Sequence, residues 1–506
     1  MHKKEASNST VKVALQTWLC PELTPVIQNR DYQLHADELR QLDQLLRDSG
    51  IEDLAISSAL EGFAEENSKS KPLKSRVKFA IYALRAEILR HFLGVPSFTG
   101  FSKSLSTSNL YAWFCGCLQV DGVRWTSKST LHRASTFYTA EQLRHFNDLL
   151  VEVLGHEHYC GELGLSEPED LSVCLIDSTC LQANIHYPVD WVLLRDVSST
   201  LLKAIERIRK EGILCRMPET PKALARLMNK ECIAMTHTAR KADSKRQRKA
   251  HFRRMKRLLK RIGEHARRHL EALLARSRET GLGPGHVKQI ATGIETQLSL
   301  IPEVIKQAHE RIIGERLVKN EAKILSVYER EIDVIVRNKA GAKVEFGNEL
   351  FLAESAGGLI TDYCLYGRGA PGESKKLEES LERQSKRLSF EVLESVVADR
   401  GFDSKTSARN LAKNGITNRI CPKSPQALEE SLRDESFCAA QTRRAGTEAK
   451  IATVKNHGAG RVWRAKGFKR RQIAVGSSIL ACNLRWLIRK MQANAKDPPG
   501  VVAEAA

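Results

Sequence analysis

LSVCLIDSTCL, residues 171–181, is an apolar run of strand length in which β-branched residues recur. Such a run, without regular polar alternation, predicts a β-strand that is buried on both faces. Asp177 lies near its end. Because strands of this kind occur in sheets covered by helices, the run indicates an α/β domain with a carboxylate near a strand end.

Further strands lie far downstream. KVEFGNELFLAES (343–355) alternates apolar and polar residues, and GLITDYCLYG (358–367) follows a glycine turn as its hairpin partner. SVVADRGF (395–402), with Asp399 at the strand end, and GITNRICP (415–422) predict two more strands. Helical patterns fill the intervals. We therefore expect a mixed sheet with flanking helices.

Two long intervals without strand patterns are predicted to be all-α, one before the sheet and one inserted after its first strand. The predicted division is an N-terminal arm (1–34), a helical region (35–165), a sheet domain in two parts (166–190 and 325–490), a basic helical insertion (191–324) and a disordered tail (491–506).

The chain of 506 residues carries a formal net charge of +20, and residues 201–280 contain 24 Lys and Arg against 8 Asp and Glu. Within them, residues 241–277 place apolar residues at helical spacing, which predicts a basic amphipathic helix. Such a helix binds a membrane surface, an acidic protein or nucleic acid. Its internal position among other helices favours nucleic acid, with Arg253, Arg254 and Arg257 contacting phosphates.

The composition excludes several classes. No run approaches the roughly eighteen apolar residues of a membrane span, and the N-terminus lacks a signal-peptide pattern, so we expect a cytoplasmic protein without membrane contact. The 12 cysteines are scattered and predict reduced thiols. His156, His158 and Cys160 have no fourth ligand at matching spacing, which favours a surface loop over a metal site.

RRAGTEAKIATVKN contains a single acidic residue, Glu448. On a helix it shares one stripe with Arg444, four residues before it, and Lys455, seven after it. Alone, the stripe is typical of a solvated ion pair, and Asp177 or Asp399 alone is typical of a cap or turn. Together, three carboxylates in a basic protein indicate a divalent metal site, and Mg²⁺ favours such oxygen ligands.

These segments together resemble the DDE transposases of bacterial insertion sequences. The first reads LIDSTCLQANIHYPVDWVLLRD, with the family's Asn-Ile-His-Tyr-Pro run; the second reads VVADRGFDS; the third matches the family's arginine, three residues, glutamate, six residues, lysine. GFKRRQIAVGSSILACNLRWLIRK looks like the family's closing helix. One departure is that the family's frequent tyrosine, three positions before the arginine, is Gln441 here.

The resemblance implies a ribonuclease-H-like core in which Asp177, Asp399 and Glu448 hold two Mg²⁺ or Mn²⁺ ions, while Arg444 and Lys455 hold DNA. It implies an enzyme of DNA recombination that cuts double-stranded DNA at the ends of its own mobile element and joins them to target DNA. Water and then a freed 3′-hydroxyl would be the nucleophiles. It also implies a homodimer or larger assembly on DNA and a bacterial, nucleoid-associated location.

RWTSKSTLHRAS, in the N-terminal half, resembles a helix-turn-helix segment in which a serine or threonine starts the recognition helix. The residues that would then reach terminal-repeat DNA are Lys128, Ser129, Thr130 and Arg133. An ordinary capped helix is the alternative. Weaker carboxylate candidates are Asp190, in the loop after Asp177, Asp362, and Asp403, as a helix cap.

Other functions fit parts of the sequence. A nuclease of the same fold without strand transfer would share every motif. A catalytically inactive, transposase-derived DNA-binding protein would not need all three carboxylates. A non-enzymatic, basic RNA-binding protein would explain residues 201–280 but leave the strand-borne aspartates unused.

Overall fold

The computed structural model describes residues 29–61, 70–238, 243–339, 342–387, 392–456 and 465–496. Most of the predicted arm and the last ten residues of the predicted tail lie outside the described residues. The predicted end of the arm at residue 34 and the predicted end of the sheet domain at residue 490 both need correction. The first described helix already begins at Arg30, because the Asn29 side chain accepts hydrogen bonds from the Asp31 and Tyr32 amides and caps it. The last helix extends to Lys496, six residues beyond 490.

Helices dominate the N-terminal part. Helices α1 to α5 span Arg30–Asp48, Ile51–Leu60, Ser70–Phe92, Phe98–Thr107 and Asn109–Phe114. A short antiparallel ribbon follows, β1 (Leu118–Gln119) with β2 (Gly122–Val123), and then α6 to α8, Lys128–Ala134, Ala140–Gly155 and Glu157–Cys160. The all-α prediction for 35–165 was therefore wrong at the ribbon, where Val120 and Asp121 form the turn and Gly122, at positive φ, begins β2.

Strand β3, Val173–Gln182, is the first of the large sheet, and four long helices follow it. They are α9 (Asp190–Lys210), α10 (Pro221–His237), α11 (Ser244–Ala275) and α12 (Pro284–Ile312). They enclose a hydrophobic cluster of their own, to which α11 contributes Phe252, Met255 and Leu259. Its apolar stripe is thus buried inside this bundle, so its basic residues face outward.

The remaining elements complete the sheet and its cover. Strands β4 to β6 span Asp333–Lys339, Ala342–Glu354 and Ile360–Leu365, followed by α13 (Glu373–Ser385), β7 (Ser395–Ala398), α14 (Lys405–Lys413), β8 (Thr417–Ile420), α15 (Pro425–Ser431), α16 (Glu435–Val454) and α17 (Phe468–Lys496). Short 3₁₀ turns lie at Ser277–Glu279, Asn320–Ala322 and Arg400–Phe402.

The sheet is mixed, as predicted. Its strands lie in the order β6-β5-β3-β7-β8, and β4 pairs with the end of β5 that β6 leaves open. β3 is antiparallel to β5 and parallel to β7, which is parallel to β8. Helices α13 and α14 cover one face with Leu377, Leu381 and Leu411. The other face carries Leu181 of β3 and packs against Ile451 of α16 and residues of α17.

Candidate metal centre

Asp177 and Asp399 lie at equivalent positions on neighbouring parallel strands. The ladder between β3 and β7 pairs Leu175 with Val397, and each aspartate follows two residues later. Asp177 is the fifth of the ten residues of β3, not a residue near its end as predicted, because pairing with β5 continues to Gln182. The shorter β7 ends at Ala398, so Asp399 lies at the carboxyl end of its strand, whereas Asp177 lies at the equivalent position within the longer β3.

Asp399 is both a cap and a site residue. Its Oδ1 accepts a hydrogen bond of 2.9 Å from the Gly401 amide and caps the 3₁₀ turn that follows β7. Asp399 therefore has the capping role that is usual for an aspartate after a buried strand. The same hydrogen bond also fixes the carboxylate beside Asp177.

Glu448 reaches the same edge from α16. Ile451 and Val454 of this helix are buried against the sheet face that carries Leu181, and Leu181 shares a face with Asp177 four residues earlier. Glu448 itself is exposed. The predicted helix therefore packs with its apolar side on the sheet and presents the glutamate towards solvent near the aspartates.

The charges of Asp399 and Glu448 act on the Asp177 carboxylate. Burial is the main cause that raises the pKa of Asp177, and the charges of Asp399 and Glu448 raise it further. The Ser178 amide and the Arg444 guanidinium oppose the shift. The other two predicted ligands and the predicted DNA-binding arginine are thus close enough to influence Asp177, and ionising Asp177 in this setting is unfavourable without a cation.

These donors suit a hard divalent cation. Mg²⁺ takes carboxylate oxygens and keeps several positions for water or phosphate. Among the described residues no three His, Cys, Asp or Glu side chains are grouped closely enough to enclose one ion. An open set of three carboxylates is compatible with ions that also bind substrate oxygens, as in two-metal sites.

Gln441, three positions before Arg444, has a clear structural role. Its Nε2 donates to the backbone oxygens of Ala398 (3.3 Å) and Arg419 (2.8 Å), at the ends of β7 and β8. Its Oε1 accepts from Arg444 Nε at 3.1 Å. Gln441 therefore ties α16 to the sheet edge and orients the arginine. Lys455, the other predicted phosphate contact, is the C-cap residue of α16.

Sequence reasoning missed a fourth carboxylate beside the aspartates. Glu373, the first residue of α13, accepts from Ser178 Oγ at 3.0 Å and from Lys376 Nζ at 3.0 Å. Lys376 Nζ also lies 2.6 Å from Glu349 of β5. Burial raises the pKa of Glu373, Lys376 lowers it and Glu349 raises it again. In sequence Glu373 looked like an ordinary acidic residue in the first turn of a helix.

The Asn-Ile-His-Tyr-Pro run, 184–188, connects β3 to the bundle. His186 Nε2 lies 2.8 Å from Asp196 of α9, and the exposed Tyr187 packs edge-on against Phe346 of β5 at 5.5 Å between ring centroids. The run therefore fixes how the bundle leaves the sheet.

Comparisons with known proteins give no relative. A scan against family models, a search of curated proteins and a search of solved structures each found no match to this chain. Separately, among the helices of the described residues none has the length and apolar character needed to cross a membrane.

The three weaker aspartate candidates have structural partners instead. Asp362 is buried and bound by Arg144 and Arg383. Asp190 is buried in the first turn of α9, not in a loop, and is bound by Arg311 and Gln307. Asp403 does not cap α14, because Ser404 does; its carboxylate accepts from the Lys423 amide instead.

The His156–Cys160 segment forms the short helix α8 with His156 as its N-cap. Both histidines are exposed while Cys160 is buried, so the three side chains do not share one environment. The surface position expected for the histidines is observed. The Cys160 thiol is instead part of the N-terminal hydrophobic core.

The predicted DNA-binding residues on helices differ in availability. Lys128 and Arg133 are exposed on α6, which Ser127 caps, but α6 has only seven residues. Arg253, Arg254 and Arg257 are exposed on α11. Arg254 is already paired with Glu231 of α10 at 2.9 Å, which the sequence did not reveal.

Proposed function

We propose that this chain is a DNA transposase of the bacterial insertion-sequence DDE type, which cuts the ends of its own element and joins them to target DNA by metal-dependent phosphoryl transfer. The observation that carries the proposal is the register of β3 and β7, which brings Asp177 level with Asp399 where Glu448 acts on the same carboxylate. A basic protein with such a site is suited to a polyanionic substrate.

The sheet topology supports a ribonuclease-H-like core for this proposal. Three antiparallel strands, β6-β5-β3, are continued by two parallel ones, β7 and β8, and helices cover both faces. The two aspartates lie on the adjacent central strands of that order. The bundle α9 to α12 is inserted between β3 and the rest, so it enlarges the protein without interrupting the sheet.

Asp177, Asp399 and Glu448 would hold two Mg²⁺ or Mn²⁺ ions. Bound there, the ions would supply an activated hydroxyl and neutralise charge on the leaving oxygen of a phosphodiester. The planar guanidinium of Arg444, oriented by Gln441, suits a phosphate on the scissile strand. Lys455 lies at the end of the same helix and would contact the next part of the backbone.

A basic surface on the bundle supports binding to a DNA duplex. Residues 244–263 of α11 contain no acidic residue. Glu219 pairs with Arg261, and Glu231 with Arg254, so α10 lies antiparallel beside α11. Both helices therefore expose basic residues on adjoining surfaces: Lys222, Arg226, Lys230, Arg253, Arg257 and Lys260. We call these six residues the α10–α11 basic surface, and its phosphate contacts would add affinity without sequence preference.

Assembly is part of the proposal. The resemblance implies a homodimer or larger complex on DNA that pairs two element ends. The α10–α11 basic surface would then bring DNA to the complex, and α6 would contact the terminal repeats.

The test compares Mg²⁺-dependent nicking and joining of a duplex carrying an element end by the unaltered chain, by Glu448→Gln and by Glu435→Gln. Glu435 is an exposed glutamate in the first turn of the same helix, which makes it a matched control. Loss of a ligand worth about 3 kcal/mol to the transition state lowers the rate by about a hundredfold or more. The control should keep wild-type cleavage.

Three outcomes would change the assignment. Cleavage without joined products favours a nuclease of the same fold. DNA binding without cleavage by any of the three proteins favours an inactive, transposase-derived binding protein. Full activity of Glu448→Gln would remove Glu448 from the metal site.

A further inference from the structure

The buried ammonium of Lys376 organises a charged cluster under the sheet edge. Its side chain is 2% exposed and lies between Glu373 (3.0 Å) and Glu349 (2.6 Å). A buried lysine is tolerated only with such partners, and an apolar residue of similar size would often serve stability equally well. With two carboxylates and one ammonium, the cluster has a formal net charge of −1. Its position therefore matters more than its contribution to stability.

One carboxylate in the cluster contacts both segments that carry the aspartates. Glu373 accepts from Ser178 Oγ, and Ser178 directly follows Asp177. A Cβ placed on Gly401 would meet Glu373 Cγ at 3.6 Å and Asp399 Oδ1 at 2.9 Å, so Glu373 also packs against the turn that holds Asp399. The neighbouring Ser374 adds a hydrogen bond of 2.6 Å between hydroxyls to Ser404, just beyond that turn.

Backbone pairing alone does not set the spacing of the two aspartates. The β3–β7 ladder stops at Leu175 and Val397, two residues before them. Beyond that point β3 stays paired with β5, whereas the segment after β7 enters the 3₁₀ turn at Arg400–Phe402. The spacing of Asp177 and Asp399 therefore depends on contacts outside the ladder.

We propose that Glu373, held by Lys376, is a positioning residue that fixes the separation of the Asp177 and Asp399 carboxylates and so sets the preference of the centre for Mg²⁺ over Mn²⁺. This inference rests on the proposed function. Mg²⁺ requires nearly ideal octahedral geometry at short distances, so a loosened pair of ligands penalises it most. The larger Mn²⁺, which accepts the same oxygen ligands, is less affected.

The test uses the full chain with Glu373→Gln and Ser178→Ala, the second of which removes the hydrogen bond between Ser178 and Glu373 and keeps both glutamates of the Lys376 ion pairs. Glu378→Gln, which breaks the exposed pair with Lys375 on the same helix, is the control. Cleavage is titrated with each metal separately. Calorimetric titration of Mg²⁺ and Mn²⁺ into the DNA-free proteins provides a readout independent of catalysis.

Both test variants should raise the Mg²⁺ concentration for half-maximal cleavage, and weaken Mg²⁺ binding, by about tenfold, while the Mn²⁺ values change by less than about threefold. The control should match the unaltered protein. An equal loss with both metals, or no change in either variant, overturns the inference. Asp177→Asn separates this from failure of the proposed function: if metal binding survives Asp177→Asn, the metal centre itself is wrongly assigned.

Discussion

Salt dependence of DNA binding tests the α10–α11 basic surface, and the structure separates arginines that look alike in sequence. Arg253 and Arg257 are exposed on α11, whereas the Arg254 guanidinium is bound to Glu231 and to His251. We therefore compare the double variant Arg253→Ala/Arg257→Ala with Arg254→Ala. An arginine that is neutralised within the protein replaces few counterions on DNA.

The magnitude follows from counterion release. Each phosphate neutralised contributes about 0.9 to the negative slope of log affinity against log salt, so the double variant should lose about 1.8 of slope. Over a fourfold rise in salt, the unaltered protein should then lose roughly tenfold more affinity than the double variant. Arg254→Ala should change the slope by well under 0.9, because its partner Glu231 already competes for it.

Fluorescence anisotropy with a labelled duplex of arbitrary sequence, measured between about 50 and 200 mM salt, gives the slopes directly. A slope change for Arg254→Ala half as large as that of the double variant would refute the reasoning, since every arginine would then count equally whatever its partner within the protein. An unchanged slope in the double variant would remove α11 from the DNA interface. Circular dichroism of each variant checks that the bundle remains helical.

Two further predictions concern stability. Burial raises the folded-state pKa of Asp177, so the contribution of this residue to the free energy of unfolding is fully present below its unfolded pKa and is lost as the pH rises through its folded pKa. Without metal, Asp177→Asn should therefore melt higher than the unaltered protein near neutral pH but not in acid. A lower melting point of the variant near neutrality would contradict this. Buried Asn483 makes hydrogen bonds to Asn147 Oδ1 (2.7 Å) and to both backbone groups of Ile360 (2.9 Å each), so Asn483→Ala should cost about 3 kcal/mol in urea unfolding. Asn494 on the same helix is half-buried and makes one hydrogen bond of 3.3 Å, to Ser166 Oγ, so Asn494→Ala should cost about 1 kcal/mol or less. A loss for Asn483→Ala as small as this would show that the buried network contributes little.

Elements with strong local patterns were predictable. The run around Asp177, the alternating strand and its hairpin partner, and the basic amphipathic helix all have periodicities that tertiary packing reinforced. The ribbon at β1 and β2 was missed because strands of two residues carry no periodicity, although Asp121 and Gly122 at its turn were a usable signal. The position of Asp177 within β3 depends on how long β5 continues beside it, which only pairing reveals.

Partners that are distant in the chain could not be predicted. Glu373 meets Ser178 across 195 positions, and nothing near either residue indicates the contact. The same holds for Arg254, whose pairing with Glu231 depends on α10 lying antiparallel to α11. Gln441 was noted as a departure from a pattern, but its contacts to the ends of β7 and β8 required the assembled sheet edge.

Helix α17 has a consequence for the order of events during synthesis. It contributes Leu480, Leu484 and Leu487 to the same hydrophobic core as the helices near the N-terminus, while its Val475 and Ile479 pack under the sheet. At about 5 to 20 residues per second, the first helix waits roughly 20 to 90 seconds on the ribosome before this helix is complete. Chains that end before this helix therefore lack part of the N-terminal hydrophobic core.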